Sequence, residues 1–317
     1  MNNYYRYPGY RSFQDDPIDH LLFFGRDIEK ELLFHRILSE PLIILFGKSG
    51  IGKTSLIHAG VMKLLREKGY LPMIIRFNIE KINPLHSLFE SIKRYSLNSP
   101  FEFNFNEKST TLWDYFHTLE IWTDDDELMY PIIILDQFEE FFTLHEKNQR
   151  NIFVSNLASI MSGKAPSEAM INHPNAPDVK IVISMREDYL AELDDLSSLI
   201  PDIFQKRIRL LPLNRENARA AIEKPASLIN NCLQSKPFTF SSEAINEMLS
   251  FLCTQRIRGC IKETNEIESF QLQLLCSFLE KKMIKKEQSN GSTIILSTDL
   301  GGVEGMNNMM IHYYEGH

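Results

Sequence analysis

Pro41-Leu42-Ile43-Ile44-Leu45-Phe46 runs directly into Gly47-Lys48-Ser49-Gly50-Ile51-Gly52-Lys53-Thr54. A short apolar run bounded by a glycine-rich turn reads as a buried strand over 42–46, and the residues that follow read as a helix over 53–67. The turn is a complete Gly-x4-Gly-Lys-Thr phosphate loop in the strand-before, helix-after context that the motif requires. Glycine makes up roughly 7% of residues in proteins at large, so the four fixed positions arise together by chance in about one chain in a hundred. The flanking strand and helix reduce that further.

The chemistry follows from the residue types. Gly47, Gly50 and Gly52, with Lys48, Ser49 and Ile51 between them, let the backbone turn its N–H groups inward around an anion. The helix that starts near Lys53 points its positive dipole end at the same place. Lys53 is placed to reach β- and γ-phosphates, the Thr54 hydroxyl to ligate Mg2+, and the Ser55 hydroxyl to meet the α-phosphate. A nucleoside triphosphate is the ligand this pattern calls for.

Working outward, Pro131-Ile132-Ile133-Ile134-Leu135-Asp136 is a second apolar strand, ending in a carboxylate. Ligands of open α/β sheets bind at such strand ends, so Asp136 is the candidate magnesium ligand, the alternative being a helix cap. Gln137-Phe138-Glu139-Glu140-Phe141-Phe142 follows. A helix beginning here puts Phe138, Phe141 and Phe142 on one buried face and leaves Glu139 and Glu140 three and four positions beyond Asp136. Either glutamate can polarise an attacking water, or both are solvated first-turn acids that suit the helix dipole. Lys180-Ile181-Val182-Ile183-Ser184-Met185-Arg186 delivers a cation at a third strand end. Arg186 can stabilise charge on a transferring phosphoryl group, or simply pair with Glu187 or Asp188.

Strands and helices alternate up to residue 211, with strands at 72–78, 131–135, 179–185 and 207–211 and helices at 84–96, 110–121, 138–144, 148–161 and 187–193. That alternation predicts an α/β fold with a parallel sheet covered on both faces. Gly163 to Asp178 reads as a loop. Residues 214–224, 241–254 and 267–286 read as helices with no convincing strand among them, which makes a helical second domain. Ser292 to Leu296 is a short β-like run, with Ser297-Thr298-Asp299 as a cap for a further helix. The boundaries expected are an aromatic lead-in at 1–20, a nucleotide-binding domain at 21–211, a helical lid at 212–288 and the start of a winged-helix region at 289–317. Tyr4, Tyr5, Tyr7, Tyr10 and Phe13 in the lead-in are expected to cover the edge of the first domain, the alternative being a partner-docking stripe.

Bulk properties exclude several classes. Across 317 residues, 43% are hydrophobic and 24% charged, as in ordinary globular domains, and apolar runs fall far short of the roughly 20 residues that span a bilayer. A net charge of −8 argues against a surface dominated by nucleic-acid contacts. Cys232, Cys253, Cys260 and Cys276 have neither metal-ligand nor redox-pair spacing, so a reduced, cytoplasmic setting is expected.

Taken together, Tyr7-Pro8-Gly9-Tyr10-Arg11-Ser12-Phe13, Phe23-Phe24-Gly25-Arg26-Asp27-Ile28-Glu29, the phosphate loop and Asp136-Gln137-Phe138-Glu139-Glu140 resemble a novel STAND nucleoside triphosphatase domain, related to the NACHT and NB-ARC switches. The resemblance continues through Arg186-Glu187-Asp188, Leu211-Pro212-Leu213, Ala221-Ile222-Glu223-Lys224-Pro225-Ala226, Leu272-Gln273-Leu274 and Gly301-Gly302-Val303-Glu304-Gly305. It implies an ASCE-type sheet with the Arg186 strand between the Gly47 and Asp136 strands, and a helical lid closing over ATP or ADP. It implies Asp136 as the magnesium residue, Glu140 as the hydrolytic glutamate with Glu139 beside it, Arg186 as a sensor arginine and Arg26 as a border of the nucleotide pocket. Ser269-Phe270 departs from the proline that related chains often carry ahead of the Leu-Gln-Leu helix. Relatives usually continue into a winged helix and then a repeat or effector region, so self-association or further C-terminal sensor regions are expected partners.

The reading is therefore a slowly hydrolysing ATP switch in signalling, with bacterial defence as the setting the resemblance implies. The rival reading is a nucleotide-dependent interaction module that does not hydrolyse, kept open by Gln137 beside Asp136. A ring-forming motor would need a pore-like aromatic-Gly pair after the second strand, and a small-molecule kinase an acceptor lid; neither pattern is visible.

Overall fold

The computed structural model describes residues 4–79, 82–166, 173–257, 260–288 and 293–315. Ser292 and part of the expected 163–178 loop lie outside the described residues. The chain forms two compact units, one made of Glu31–Lys48 and Val61–Leu210, the other of Met1–Lys30, Ser49–Gly60 and Leu211–His317.

The first unit is built on seven strands: β1 (Leu42–Gly47), β2 (Tyr70–Ile75), β3 (Glu102–Asn104), β4 (Glu120–Trp122), β5 (Leu128–Leu135), β6 (Lys180–Arg186) and β7 (Arg207–Arg209). The order is β3-β4-β5-β6-β1-β7, with β2 alongside β5. Helical crossovers return the chain to the same end of the sheet, so β1, β2, β5, β6 and β7 run parallel. β6 lies between β1 and β5, as the resemblance implies. Every residue of β1 is buried, and so are Ile132 to Leu135, which is why these strands read as unbroken apolar runs. Helices Pro84–Leu97, Leu112–Thr118 and Lys147–Ser162 pack Leu88, Ile92, Trp113, Phe153 and Leu157 into the same core.

Several boundaries differ from expectation, each for a local reason. The helix expected over 110–121 stops at Thr118 after Thr111 caps its start. Leu119 and Ile121 are buried and Glu120 exposed, a period of two that continues as β4. The acidic run Asp124-Asp125-Asp126 is then the hairpin turn into β5, with Asp126 at φ 57°. The 187–193 segment is a 3-10 helix, and residues 56–61 of the helix after the phosphate loop are π-helical. Past residue 212 there are short strands: Thr239–Phe240 pairs with Ile294–Ile295, and Thr254–Ile257 with Cys260–Glu263. Two to four residues are too few to show a period.

The second unit packs helices Arg215–Ser227, Ser242–Leu252, Ser269–Gln288 and Gly302–Glu315 around Ile222, Met248, Leu249, Leu272, Leu275, Leu279 and Met306. Asn214 and Ser241 cap the first two of these helices through the amides of Asn217 and Ala244. Tyr7 corrects the expectation for the lead-in. It lies at the centre of this helical core, and its hydroxyl donates to the Ile222 carbonyl. Beside it Arg6, fully buried, donates to the Pro225 and Leu228 carbonyls at 2.8 and 2.7 Å and to the Ser235 carbonyl at 2.8 Å. Carbonyls at a helix C-terminus lack intrahelical partners, so a buried guanidinium there satisfies them and complements the dipole. No described helix is long and apolar enough to cross a membrane.

Candidate nucleotide-binding site

The phosphate loop leaves the end of β1 and turns through Gly50 and Gly52, at φ 70° and 99°. Both angles lie in the left-handed region, where a side chain costs about 1–2 kcal/mol, so glycine is the residue that fits. Gly52 is the N-cap of the helix that opens with Lys53 and Thr54, and its carbonyl accepts from the Leu56 amide at 2.9 Å. Ile51, between the two glycines, is buried and anchors the loop.

Arg26 is 4% exposed and its donors are committed to protein atoms. Nη1 donates to Glu29 Oε1 and to the Leu211 carbonyl, both at 2.7 Å. Nη2 donates to the Ile51 carbonyl at 3.2 Å and to Ser269 Oγ at 3.1 Å. Burial pulls its pKa down, and Glu29 pushes it back up. Gly25 ahead of it sits at φ 83°, and a Cβ there would lie 2.3 Å from the Asn217 carbonyl oxygen, so the Gly-Arg pair is fixed by a close approach of the Arg215–Ser227 helix. Ser55 Oγ accepts from the Phe13 amide at 3.1 Å, which leaves its own proton to donate.

The acidic residues lie at the C-terminal ends of β5 and β6. The Asp136 amide donates to the Ile75 carbonyl, continuing the β2–β5 ladder by one residue. Its carboxylate, 3% exposed, takes a 2.7 Å ion pair from Arg76, just past the end of β2. Gln137 then adopts φ 56°, uncommon for a residue other than glycine, and the Phe138 amide donates to the Ser184 carbonyl on β6. That sharp turn starts helix Glu139–Leu144, and Phe138 and Phe141 bury as a stacked pair with centroids 4.6 Å apart.

The two glutamates are used differently. Glu139 Oε2 accepts from the Arg186 amide at 3.2 Å, so its carboxylate caps the end of β6. Glu140 Oε2 is buried with no hydrogen-bond partner. Burial raises the Glu140 pKa, Arg76 opposes the rise, and Glu139 and Asp136 add to it. Arg186 stands in register with Gly47 across the β1–β6 pair, next to the start of the phosphate loop. Its guanidinium pairs with Asp188 and lies 5.9 Å from the Tyr189 ring centroid.

Sequence reasoning missed Arg76 and gave no role to Glu29 or Ser269, which it met only as part of the Gly-Arg motif and as a departure from the family pattern. Arg76 carried a usable signal: it ends an apolar run just as Asp136 and Arg186 do. The pairing of Ser269 with Arg26 carried none, because the two are 243 positions apart.

The family profile of Novel STAND NTPase 1 matches residues 7–253. No curated protein matches the sequence. Among solved structures, the chain is similar to the Aeropyrum pernix ORC2 protein in its ADPNP–ADP complexes, with TM-score 0.54 at 13% identity, over 98% of this chain and 70% of that one. It is similar to the Walker-type ATPase of Pyrococcus abyssi, with TM-score 0.51 at 15% identity, over 88% and 73%. Cdc6p from Pyrobaculum aerophilum gives 0.50 at 19% identity, over 85% and 64%. At these identities the likeness concerns the fold, a P-loop ATPase sheet with helices on both faces.

Proposed function

The chain belongs to the Novel STAND NTPase 1 family, and from that premise we propose that it is an ATP-dependent molecular switch that hydrolyses ATP slowly. The observation that carries this reading is the phosphate loop: two left-handed glycines directly ahead of Lys53 on a helix start. In the proposed cycle the loop amides and Lys53 hold the β- and γ-phosphates, and residues 212–288 act as a lid over the nucleotide bound by residues 21–211. ATP favours one state of that lid only by its differential affinity for the two states.

Thr54 and Asp136 would hold Mg2+, and a hydroxyl with a carboxylate is the oxygen donor set that ion takes alongside substrate phosphates. Magnesium, when bound, neutralises charge on the β- and γ-phosphate oxygens. Glu140 accepts the proton of the attacking water as the oxygen bridging β- and γ-phosphorus leaves with ADP. A carboxylate with one oxygen buried and a raised pKa is a stronger base for that task. Glu139 fixes the Arg186 backbone, and Arg186 exchanges Asp188 for the γ-phosphate. Signal transduction, bacterial defence among its settings, and a cytoplasmic location complete the proposal.

One observation favours the non-hydrolysing alternative. The Asp136 carboxylate and the Arg186 guanidinium both engage internal ion pairs, with Arg76 and Asp188. Phosphate release from the full chain with ATP and Mg2+ separates the two: turnover supports the switch, and nucleotide binding without turnover supports the module.

A further inference from the structure

The Ile51 carbonyl accepts two hydrogen bonds, from Arg26 Nη2 and from Ser269 Oγ, each at 3.2 Å. Arg26 Nη2 also donates to Ser269 Oγ at 3.1 Å, so the three groups close a triangle. The hydroxyl gives its one proton to Ile51 and accepts from Arg26, which is its ordinary capacity. Arg26 cannot swing away, because its other amine is spent on Glu29 and the Leu211 carbonyl.

This triangle has a consequence on the other side of the loop. In a trans peptide the C=O and the following N–H point in opposite directions. Holding the Ile51 oxygen against Arg26 and Ser269 therefore turns the Gly52 N–H away from them. Gly52 is free to take either peptide orientation, since glycine has no Cβ to decide it. Something outside the loop must choose, and Ser269 stands close enough to do so: a Cβ on Gly52 would lie 3.9 Å from its Cβ and Oγ. A Cβ on Gly50 would lie 3.7 Å from the Phe270 Cβ, so the first turn of the Ser269–Gln288 helix lies along the loop.

We propose that Ser269 is a positioning residue that pre-orients the Gly52 amide for a bound polyphosphate. It ties the Ser269–Gln288 helix to the phosphate loop through one hydroxyl. The inference rests on the nucleotide-binding reading of the loop. It assigns Ser269 no contact with the nucleotide: the side chain acts on the loop backbone.

The test is calorimetric titration of the full chain with ADP and, separately, inorganic pyrophosphate, for wild type, Ser269→Ala and Ser269→Thr, with thermal melts without ligand. Losing one hydrogen bond that orders a backbone donor is expected to weaken both ligands by the same factor, about 5- to 10-fold. Ser269→Thr keeps the hydroxyl and stays within about 2-fold of wild type, and the melts coincide. Pyrophosphate has no base or ribose, so a parallel loss localises the effect to the phosphate loop. If wild type binds and Ser269→Ala binds within 2-fold of it, the inference is overturned while the nucleotide reading stands. Failure of wild type to bind either ligand overturns both.

Discussion

The phosphate loop and the acidic end of the sheet are held by different means. The Asp136 and Phe138 amides are fixed by strand carbonyls, and the Arg186 amide by the Glu139 carboxylate on the helix after β5. The loop is instead held from outside by Arg26, Ser269 and Phe13. The sheet end is tied by neighbouring elements, the loop by residues as far apart in sequence as Arg26 and Ser269.

The sharpest test of the sheet end is Glu140→Gln. Glutamine keeps the shape but cannot take a proton, so phosphate release is expected to fall by about 10² to 10⁴ with ATP affinity near wild type. Turnover within a few-fold of wild type would remove Glu140 as the base. Glu139→Gln is the internal comparison: its amide oxygen still accepts from the Arg186 amide, so the rate should stay within about 10-fold. A dead Glu139 variant would move the base to the neighbouring carboxylate.

The remotely held unit is most exposed at Arg6. Arg6→Ala strands the Leu228 and Ser235 carbonyls and removes the cation that faces the buried Glu280 carboxylate. A stability loss of about 3–5 kcal/mol is expected in urea unfolding. A loss below 1 kcal/mol would mean the N-terminal segment is not part of that core.

These two regions also differ in how far they could be read in advance. β1, β5 and β6 were legible because each is a buried apolar run ending in a glycine loop, a carboxylate or an arginine. The Phe138 and Phe141 face and the place of β6 between β1 and β5 followed from the same pattern and the family resemblance. The β4 hairpin was not, since Leu112 to Ile121 carries enough apolar residues to pass for one helix, and only the burial alternation at Leu119 and Ile121 separates them. Tyr7, Arg6 and Ser269 find partners more than 200 positions away, and no local period encodes such a pairing.

A smaller effect concerns pH. The proposed base must be ionised, and burial raises the Glu140 pKa. Hydrolysis should therefore fall with acidification at a pH above that of an ordinary glutamate, and hold on the alkaline side of that limb. Arg76→Ala removes the group that opposes the rise and should move the limb further upward; an unmoved limb would show that Arg76 does not act on Glu140.

Calorimetric titration of ATP with Mg2+ into wild type and Lys53→Ala tests the central claim most directly. Lys53 supplies a full positive charge where the loop amides supply partial ones, and charge-assisted bonds to phosphate are the strong ones. Wild type should bind, and Lys53→Ala should lose about 100-fold or more in affinity. Equal affinity in the two proteins would contradict the assignment of Gly47 to Thr54 as the phosphate site.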